Sequence, residues 1–185
     1  RMAQALRTLT SEVETDLAAL HIYASRAYGT YNTPPFGTAA DLSDFAQARK
    51  ILDDNGSPQS DMHMVLGSTA VGNIRGKQSG LFKINEAGTD QLLRFGVLGD
   101  VMGFALHNSA ATKAAVTAGT NNGSAAVNNA GYAVGATTLT LASAGTGTII
   151  AGDIITIAGD TNKYLVVTGD ADVSGGGSIV IAEPG

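Results

Sequence analysis

The three histidines of the chain, His21, His63 and His107, are the side chains best suited to bind a metal ion or to transfer a proton. Each stands alone in the sequence, with no histidine, cysteine or carboxylate paired to it at the spacing of a metal-binding motif. A metal site needs three or four ligands that converge on one ion. We therefore interpret all three as structural or surface histidines, and we expect no metal ion and no cofactor.

Two glycine-containing segments resemble nucleotide-binding loops only in part. The segment Gly76–Ser79 reads Gly-Lys-Gln-Ser, but it lacks the upstream glycine of a phosphate-binding loop, and Gln78 stands where Ser or Thr would hold magnesium. The segment Gly145–Gly147 lacks the third glycine of a dinucleotide fingerprint and precedes β-type sequence rather than a helix. Neither segment is expected to bind a nucleotide.

An acidic turn near the end of the chain resembles the start of a calcium-binding loop. Asp170, Asp172 and Ser174 are followed by Gly175, but the twelfth position of the loop is Ile181 rather than a bidentate glutamate. We interpret the segment as a solvated turn and expect chelators and added metal ions to leave the stability unchanged.

No serine lies in a nucleophile elbow and no carboxylate pair is visibly placed in a pocket. No catalytic residue is predicted, and the chain is not expected to be an enzyme.

Composition and charge exclude several classes of protein. The chain has 185 residues, of which 44% are hydrophobic, which suffices for one domain of moderate size or two small ones. Its 11 basic and 16 acidic residues give a net charge of −5, and the basic residues are scattered, which argues against nucleic-acid binding. It has no cysteine, no apolar run of membrane-spanning length and no signal-peptide pattern. We expect a soluble protein that is not exported and binds neither membranes nor specific nucleic-acid sequences.

The elements that must position any site begin with a long amphipathic segment. Residues Met2 to Ala27 read as one helix, about 39 Å long, that Gly29 and Pro34-Pro35 end. Its apolar or small residues recur at steps of three and four, at Met2, Leu6, Leu9, Val13, Leu17, Leu20, Ala24 and Ala27. A coiled coil is the alternative, but the seam shrinks to alanine, so we expect the helix to pack under a sheet or another helix.

A second helix is predicted after the proline turn. Asp41 is its candidate N-cap, with Asp44 reaching back to the cap, and Asn55-Gly56 is its stop signal. Its apolar face comprises Leu42, Phe45, Ala48, Ile51 and Leu52.

Short elements of mixed type complete the first part of the chain. Met62–Leu66 reads as a buried strand, and Ser68 caps a short helix that contains Ala70, Val71 and Ile74. A loop at Gly76–Gly80 follows, and a turn with Gly96 and Gly99 then feeds a strand at Val101–His107. The first part therefore mixes α and β structure.

The amino-acid composition changes near Ala110. Residues Thr112 to Val127 have the Ala, Thr, Gly, Asn and Ser composition of a linker or exposed crossover. Short alternating runs then follow about ten residues apart, at Thr138–Leu141, Ile154–Ile157, Tyr164–Thr168 and Ile179–Ile181. This spacing predicts a small all-β barrel or sandwich, so that the domains are residues 1–111 and 112–185 of an α+β protein.

Several of these segments together carry a family resemblance. The Pro-Phe-Gly turn at Pro35–Gly37, the helix end Ala48–Leu52, and the run Gly99–Ser109 follow the long first helix in that order. With Met64–Leu66 and the β-type segment Gly152–Gly159, they resemble the coat proteins of tailed double-stranded DNA bacteriophages. The likeness is to the podovirus coat type, in which a β-barrel is inserted into the Hong Kong ninety-seven capsid fold.

The resemblance implies a structural role. It assigns a spine helix and an axial domain to the first part and the inserted barrel to the second. It further implies a major capsid subunit, phage- or prophage-encoded, that assembles into rings and an icosahedral shell around DNA in the bacterial cytoplasm. Its partners would be other copies of itself, scaffolding protein and portal protein, and its location the virion. The chain shows no N-terminal arm, no extended loop and no return strand after the barrel.

Two alternative functions of the chain remain open. A carbohydrate-binding or adhesive β-module is the alternative, although Tyr132 and Tyr164 are the only aromatic residues of the second part. An intracellular hydrolase is the third choice.

Both ends of the chain look cut, at Arg1 and at Glu183–Gly185. We therefore expect the 185 residues alone to stay monomeric or form small oligomers, and residues 128–185 to fold by themselves.

Overall fold

The computed structural model describes residues 2–78, 98–112 and 117–183, which form two compact units. Unit 1 comprises Arg1–Ala18 and Tyr28–Ala115, and unit 2 comprises Ala19–Ala27 and Val116–Gly185. Within the described ranges, unit 1 combines helices with a mixed three-stranded sheet, and unit 2 is built on a four-stranded antiparallel sheet. The α+β class predicted from the sequence is confirmed.

The first helix, α1, is shorter than predicted. It spans Met2–Ala19 and continues as a 3₁₀ turn at Leu20–Tyr23, after which Ala24 is extended with ψ at 135°. The prediction of one helix to Ala27 is wrong, because the following segment bonds to a strand instead. The amide of Ala27 donates to the carbonyl oxygen of Lys163 at 3.2 Å.

The apolar side of α1 is not covered as the sequence suggested. No residue of the helix is buried. The expectation that it packs under a sheet or another helix is therefore wrong for this chain. Amphipathic spacing shows which side of a helix is apolar, but it does not supply the partner that covers that side.

Unit 1 contains the next helix, α2 (Ser43–Asp54), and a strand, β1 (Met62–Leu66), that matches its predicted bounds. A third helix, α3 (Ser68–Lys77), follows directly. Strands β2 (Asp100–Val101) and β3 (Phe104–Asn108) complete a sheet of order β1-β3-β2, with β1 parallel and β2 antiparallel to β3. The core of the unit comprises Phe36, Phe45, Met62, Leu66, Ala70, Val71, Ile74 and Phe104.

The start of α2 differs from the predicted capping box. The carboxylate of Asp41 accepts a hydrogen bond from the Ser43 amide at 2.8 Å, but Leu42 occupies the N-cap position. The carboxylate of Asp44 accepts from the amide of Phe36 at 2.5 Å instead of reaching back to the cap. Asp44 thereby fixes the proline turn, in which Phe36 has a positive φ of 55°. The predicted stop is confirmed, since Gly56 follows the helix with φ at 69°.

Helix α3 extends further than predicted. Gly67 rather than Ser68 is its N-cap, and the helix runs through Gly76 and Lys77, where a loop was expected. The rest of that predicted loop, Ser79 and Gly80, lies outside the described residues. Three apolar side chains of α3 are buried in the core, which favours helix over the weak propensity of its glycines.

The strand predicted at Val101–His107 is a hairpin. Met102 and Gly103 have φ values of 50° and 84°, as a tight two-residue turn between antiparallel strands requires. The turn therefore divides the apolar run into β2 and β3. The turn expected at Gly96 lies outside the described residues.

Unit 2 contains strands β4 (Thr138–Leu141), β5 (Ile154–Thr156), β6 (Lys163–Thr168) and β7 (Gly177–Ile181). They pair in the order β4-β7-β6-β5, and every pairing is antiparallel. These positions confirm the four predicted strands to within two residues. Alternation places one side of β4 and one side of β7 inward, whereas β6 buries three consecutive residues, Tyr164 to Val166. The core comprises Leu139, Leu141, Ile149, Tyr164, Val166, Val173, Ile179 and Ile181.

The segment predicted as a linker is partly integrated into unit 2. The Gly119 amide donates to both carboxylate oxygens of Asp153, at 3.0 and 3.1 Å. The amide of Asn121 donates to the carbonyl oxygen of Thr148 at 3.0 Å, and Val127 forms a β-bridge with β4. Residues 117–127 therefore bond to neighbouring loops, unlike a free linker, and most of them are exposed, as in the exposed crossover that was the other interpretation.

Candidate functional site

A row of exposed apolar side chains runs along α1, and we call it the α1 seam. It comprises Met2, Leu6, Leu9, Val13 and Leu17, with exposed fractions between 51% for Val13 and 84% for Met2. The spacing of three and four residues keeps all five on one side of the helix. The seam contains no charged residue, so it is a continuous apolar surface about 23 Å long, at about 1.5 Å per residue.

The opposite side of α1 includes its least exposed residues. These are Thr15 and Ala18, and Ala18 lies about 180° around the helix from Leu9. Nearby, the Ser109 hydroxyl donates to the carboxylate of Glu14 at 3.0 Å. The large apolar residues of the helix are exposed to solvent.

The polar side of α1 also carries a shallow depression. It is lined by Arg7, Thr8, Ser11, Glu12, Thr15 and Asp16. All of these residues belong to one helix, so the depression has no opposing wall. It is open to solvent and offers no enclosed site for a small molecule.

Unit 1 brings two of the three histidines together, although each was interpreted as isolated. His63 Nδ1 lies 2.9 Å from His107 Nε2, and His63 Nε2 lies 3.1 Å from an Asp61 carboxylate oxygen. The parallel pairing of β1 and β3 places His107 opposite Val65, one step along the same face from His63. The two histidines are 44 positions apart, so only knowledge of the pairing of β1 with β3 would have revealed this cluster.

Lys77 and Gln78, from the segment that resembles a phosphate-binding loop in part, have a structural role. The Lys77 amine donates to the carbonyl oxygen of Gly37 at 2.8 Å, and the buried Gln78 amide donates to that of Thr38 at 2.7 Å. Gln78 Oε1 has no hydrogen-bond partner among the described residues. These side chains fasten the proline turn to the end of α3, and helical backbone replaces the loop that would cradle a phosphate.

The acidic turn also satisfies its own hydrogen bonds. Asp170 accepts from the Asp172 amide at 2.9 Å, and Asp172 accepts from the Ser174 hydroxyl at 2.6 Å and the Ser174 amide at 3.0 Å. The Ser174 hydroxyl, followed by its amide, lowers the pKa of Asp172 below its ordinary value. Across the part of the chain that the structure describes, no group of three or more His, Cys, Asp or Glu side chains is placed to hold a metal ion.

The two tyrosines of the β-rich part face inward. The Tyr164 ring is 9% exposed, and its hydroxyl donates to Asp160 at 2.5 Å. Tyr132 packs against the core of unit 2 and its hydroxyl accepts from the Thr140 amide at 2.9 Å. Neither ring offers the flat exposed face on which a sugar would stack.

Comparison of the chain with protein-family models, with curated proteins and with solved structures finds no match in any of the three. Among the helices described, none is long and apolar enough to cross a membrane.

Proposed function

We propose that this chain is a structural subunit of a self-assembling protein shell, of the type formed by the coat proteins of tailed double-stranded DNA bacteriophages. Its partners are other copies of itself, with scaffolding and portal proteins during assembly, and its location is the virion after assembly in the bacterial cytoplasm. The role needs no catalysis and no cofactor. The proposal combines the sequence resemblance with one structural observation, the exposed α1 seam.

The α1 seam carries the proposal because a solvated apolar row of this kind is unfavourable in an isolated molecule. Fully burying each Leu, Val or Met side chain contributes about 1.5–3 kcal/mol. Exposed contiguous apolar surface marks contact sites for other proteins. A spine helix whose apolar side is exposed to solvent offers that side to a neighbour.

The size of the seam argues against a dimer held by the seam alone. A helix face about 23 Å long and about 10 Å wide covers on the order of 230 Å². A stable interface usually buries about 800 Å² on each partner. We therefore assign the seam as one of several contacts that a subunit makes in a shell.

Two substitutions within the seam test this proposal. We expect Leu9→Gln with Val13→Gln to abolish particle formation by the protein expressed from its complete coding sequence, because both side chains become polar. Glutamine and leucine have similar helix propensities, so α1 itself is retained. Sedimentation velocity at matched concentrations measures the fraction of protein in large particles, and circular dichroism checks the helix.

The matched control places the same residue type on the flank of the same helix. Thr8→Gln with Glu12→Gln changes two exposed polar positions outside the seam, and we expect particles in wild-type yield. Equal assembly by the seam variant and the control would remove the seam from the interface. Loss of assembly in both variants would mean that the whole helix surface is sensitive, which contradicts a contact confined to the seam.

A further inference from the structure

The cluster of His63, His107 and Asp61 has a geometry that the proposed structural role does not use. Both histidines and the aspartate are exposed, with the Asp61 side chain 90% and the His63 side chain 52% accessible. The two ring centroids are 5.1 Å apart with planes inclined by 34°, so the facing nitrogens point nearly toward each other. Each ring sits on a strand of a paired sheet, which fixes its position better than a loop would.

The proton positions in this cluster follow from Asp61. An ionised carboxylate can only accept hydrogen bonds, so the contact of Asp61 with His63 Nε2 places a proton on that nitrogen. In neutral His63 the other nitrogen, Nδ1, then presents its lone pair to His107 Nε2 at 2.9 Å. One proton lies between the two rings, and Asp61 holds His63 in the tautomer that a metal ion requires.

The two nitrogens are close enough for both to reach one metal ion once the rings turn. Imidazole nitrogens bind divalent transition metals at about 2.0–2.1 Å, which places two ligands of one ion about 2.9–3.4 Å apart, depending on the angle between them. The 2.9 Å between His63 Nδ1 and His107 Nε2 is the length of the hydrogen bond between the rings, in which the nitrogens face each other. The rings must turn so that both nitrogens face one ion, and their exposure leaves room for that rotation.

The charge of the surrounding sheet face also favours a cation. Asp100 pairs with Ala105, and Ala105 pairs with His63, so the register places Asp100 on the same face of the sheet as the histidines. Asp61 lies at the end of the same row. Two carboxylates therefore lie on the same sheet face as the two nitrogens.

We propose that His63 and His107 form a two-nitrogen site for a divalent transition metal ion, with Cu²⁺ preferred over Zn²⁺, and that Asp61 is its positioning residue. Water fills the remaining coordination positions. Imidazole ligands suit Cu²⁺, which binds most tightly in the divalent series. Binding moves the proton between the rings to His107 Nδ1, so each neutral imidazole keeps one N–H while its other nitrogen binds the ion.

Titration of the tag-free protein with Cu²⁺ tests the site. We expect one ion per chain by calorimetry and a paramagnetic resonance spectrum with two coupled nitrogens. His107→Asn should weaken binding by at least about tenfold and leave one coupled nitrogen. Asp61→Asn should keep both nitrogens but weaken binding by about 10–100-fold, as is typical when an outer partner of a metal ligand is removed.

His21→Asn is the matched control, because it removes the third histidine, which lies in unit 2. We expect it to bind Cu²⁺ with wild-type affinity. Thermal unfolding without metal checks that each variant folds. The pairing of His63 with His107 replaces the expectation from the sequence that added metal ions leave the stability unchanged. The metal should raise the melting temperature of wild type and His21→Asn more than that of His107→Asn. A single coupled nitrogen in the wild type, or an equal loss of affinity in His21→Asn and His107→Asn, would overturn the site.

Discussion

A hydrogen bond between Asp160 and Tyr164 couples the stability of unit 2 to pH. The Tyr164 hydroxyl, followed by the Asn162 amide, lowers the pKa of Asp160 below its ordinary value. The same bond to Asp160, followed by burial, raises the pKa of Tyr164 above 10.0. The Arg26 guanidinium lies 4.8 Å above the Tyr164 ring, so this residue also links the segment before Ala27 to strand β6.

The sign of the pH dependence follows from these shifts. The folded state holds Asp160 deprotonated more strongly than the unfolded chain does, so its contribution is present above about pH 4 and is lost as the pH falls. We expect Tyr164→Phe to remove the main cause of the shift and to flatten the dependence of the urea midpoint on pH between about pH 5 and pH 2. Amide signals of β6 and β7 measure this midpoint for unit 2.

Tyr132→Phe is the control for that experiment, because its hydroxyl bonds to the Thr140 main chain and hydroxyl rather than to a carboxylate. It should lower stability by a similar amount at every acidic pH. If the urea midpoints of wild type and Tyr164→Phe changed equally with pH, Asp160 would not contribute to stability as described.

Individual side chains differ in how far their contacts could be predicted from the sequence. The two nucleotide-like motifs can be judged incomplete from the sequence, because a missing glycine or hydroxyl is visible there, and the absence of nucleotide binding stays a prediction. The pairing of His63 with His107 was missed, because it depends on the parallel register of β1 and β3. The partner of Asp44 was missed for a similar reason, since the turn at Phe36 lies eight positions earlier.

Among the elements, the strands of unit 2 were the most predictable. Alternating residues in β4 and β7 fix which side is buried, and glycine-containing turns bound each run. The end of α1 was less predictable, because a tertiary contact between Ala27 and Lys163 competes with a continuous helical pattern. The sequence did not indicate the hairpin between β2 and β3, since Met102 is not a residue type that indicates a positive φ.

Substitution at the hairpin tests that local geometry. Gly103 has φ at +84°, and an added Cβ would lie 2.7 Å from Arg49 Nη1. We expect Gly103→Ala to reduce the free energy of unfolding by about 1–2 kcal/mol, the cost of left-handed backbone for a residue with a Cβ. Urea denaturation followed by circular dichroism measures the change.

Gly99→Ala is the matched control, because its Cβ would meet no atom within 4 Å and its φ is not in the left-handed region. We expect it to leave the free energy of unfolding unchanged or slightly increased, since alanine restricts the unfolded chain. Equal destabilisation by both substitutions would contradict the described turn.

At the scale of the whole molecule, two units with separate cores account for all the described elements. Amphipathicity located the α1 seam in the sequence, but an internal partner was expected to cover it, and none of its residues is buried. The coiled-coil alternative was weakened by the small residues Ala24 and Ala27, which the structure places beyond the helix. The seam that remains on α1 consists of large side chains, as an intermolecular contact requires.

We propose that this protein assembles into a shell in which the α1 seam is one of the contacts between subunits. Cryo-electron microscopy of the protein expressed from its complete coding sequence, with its scaffolding partner present, tests this proposal. We expect uniform closed particles in which the Leu6, Leu9 and Val13 side chains of each subunit lie against a neighbouring subunit. Monomers at every concentration, or particles in which the seam faces solvent, would contradict the proposal.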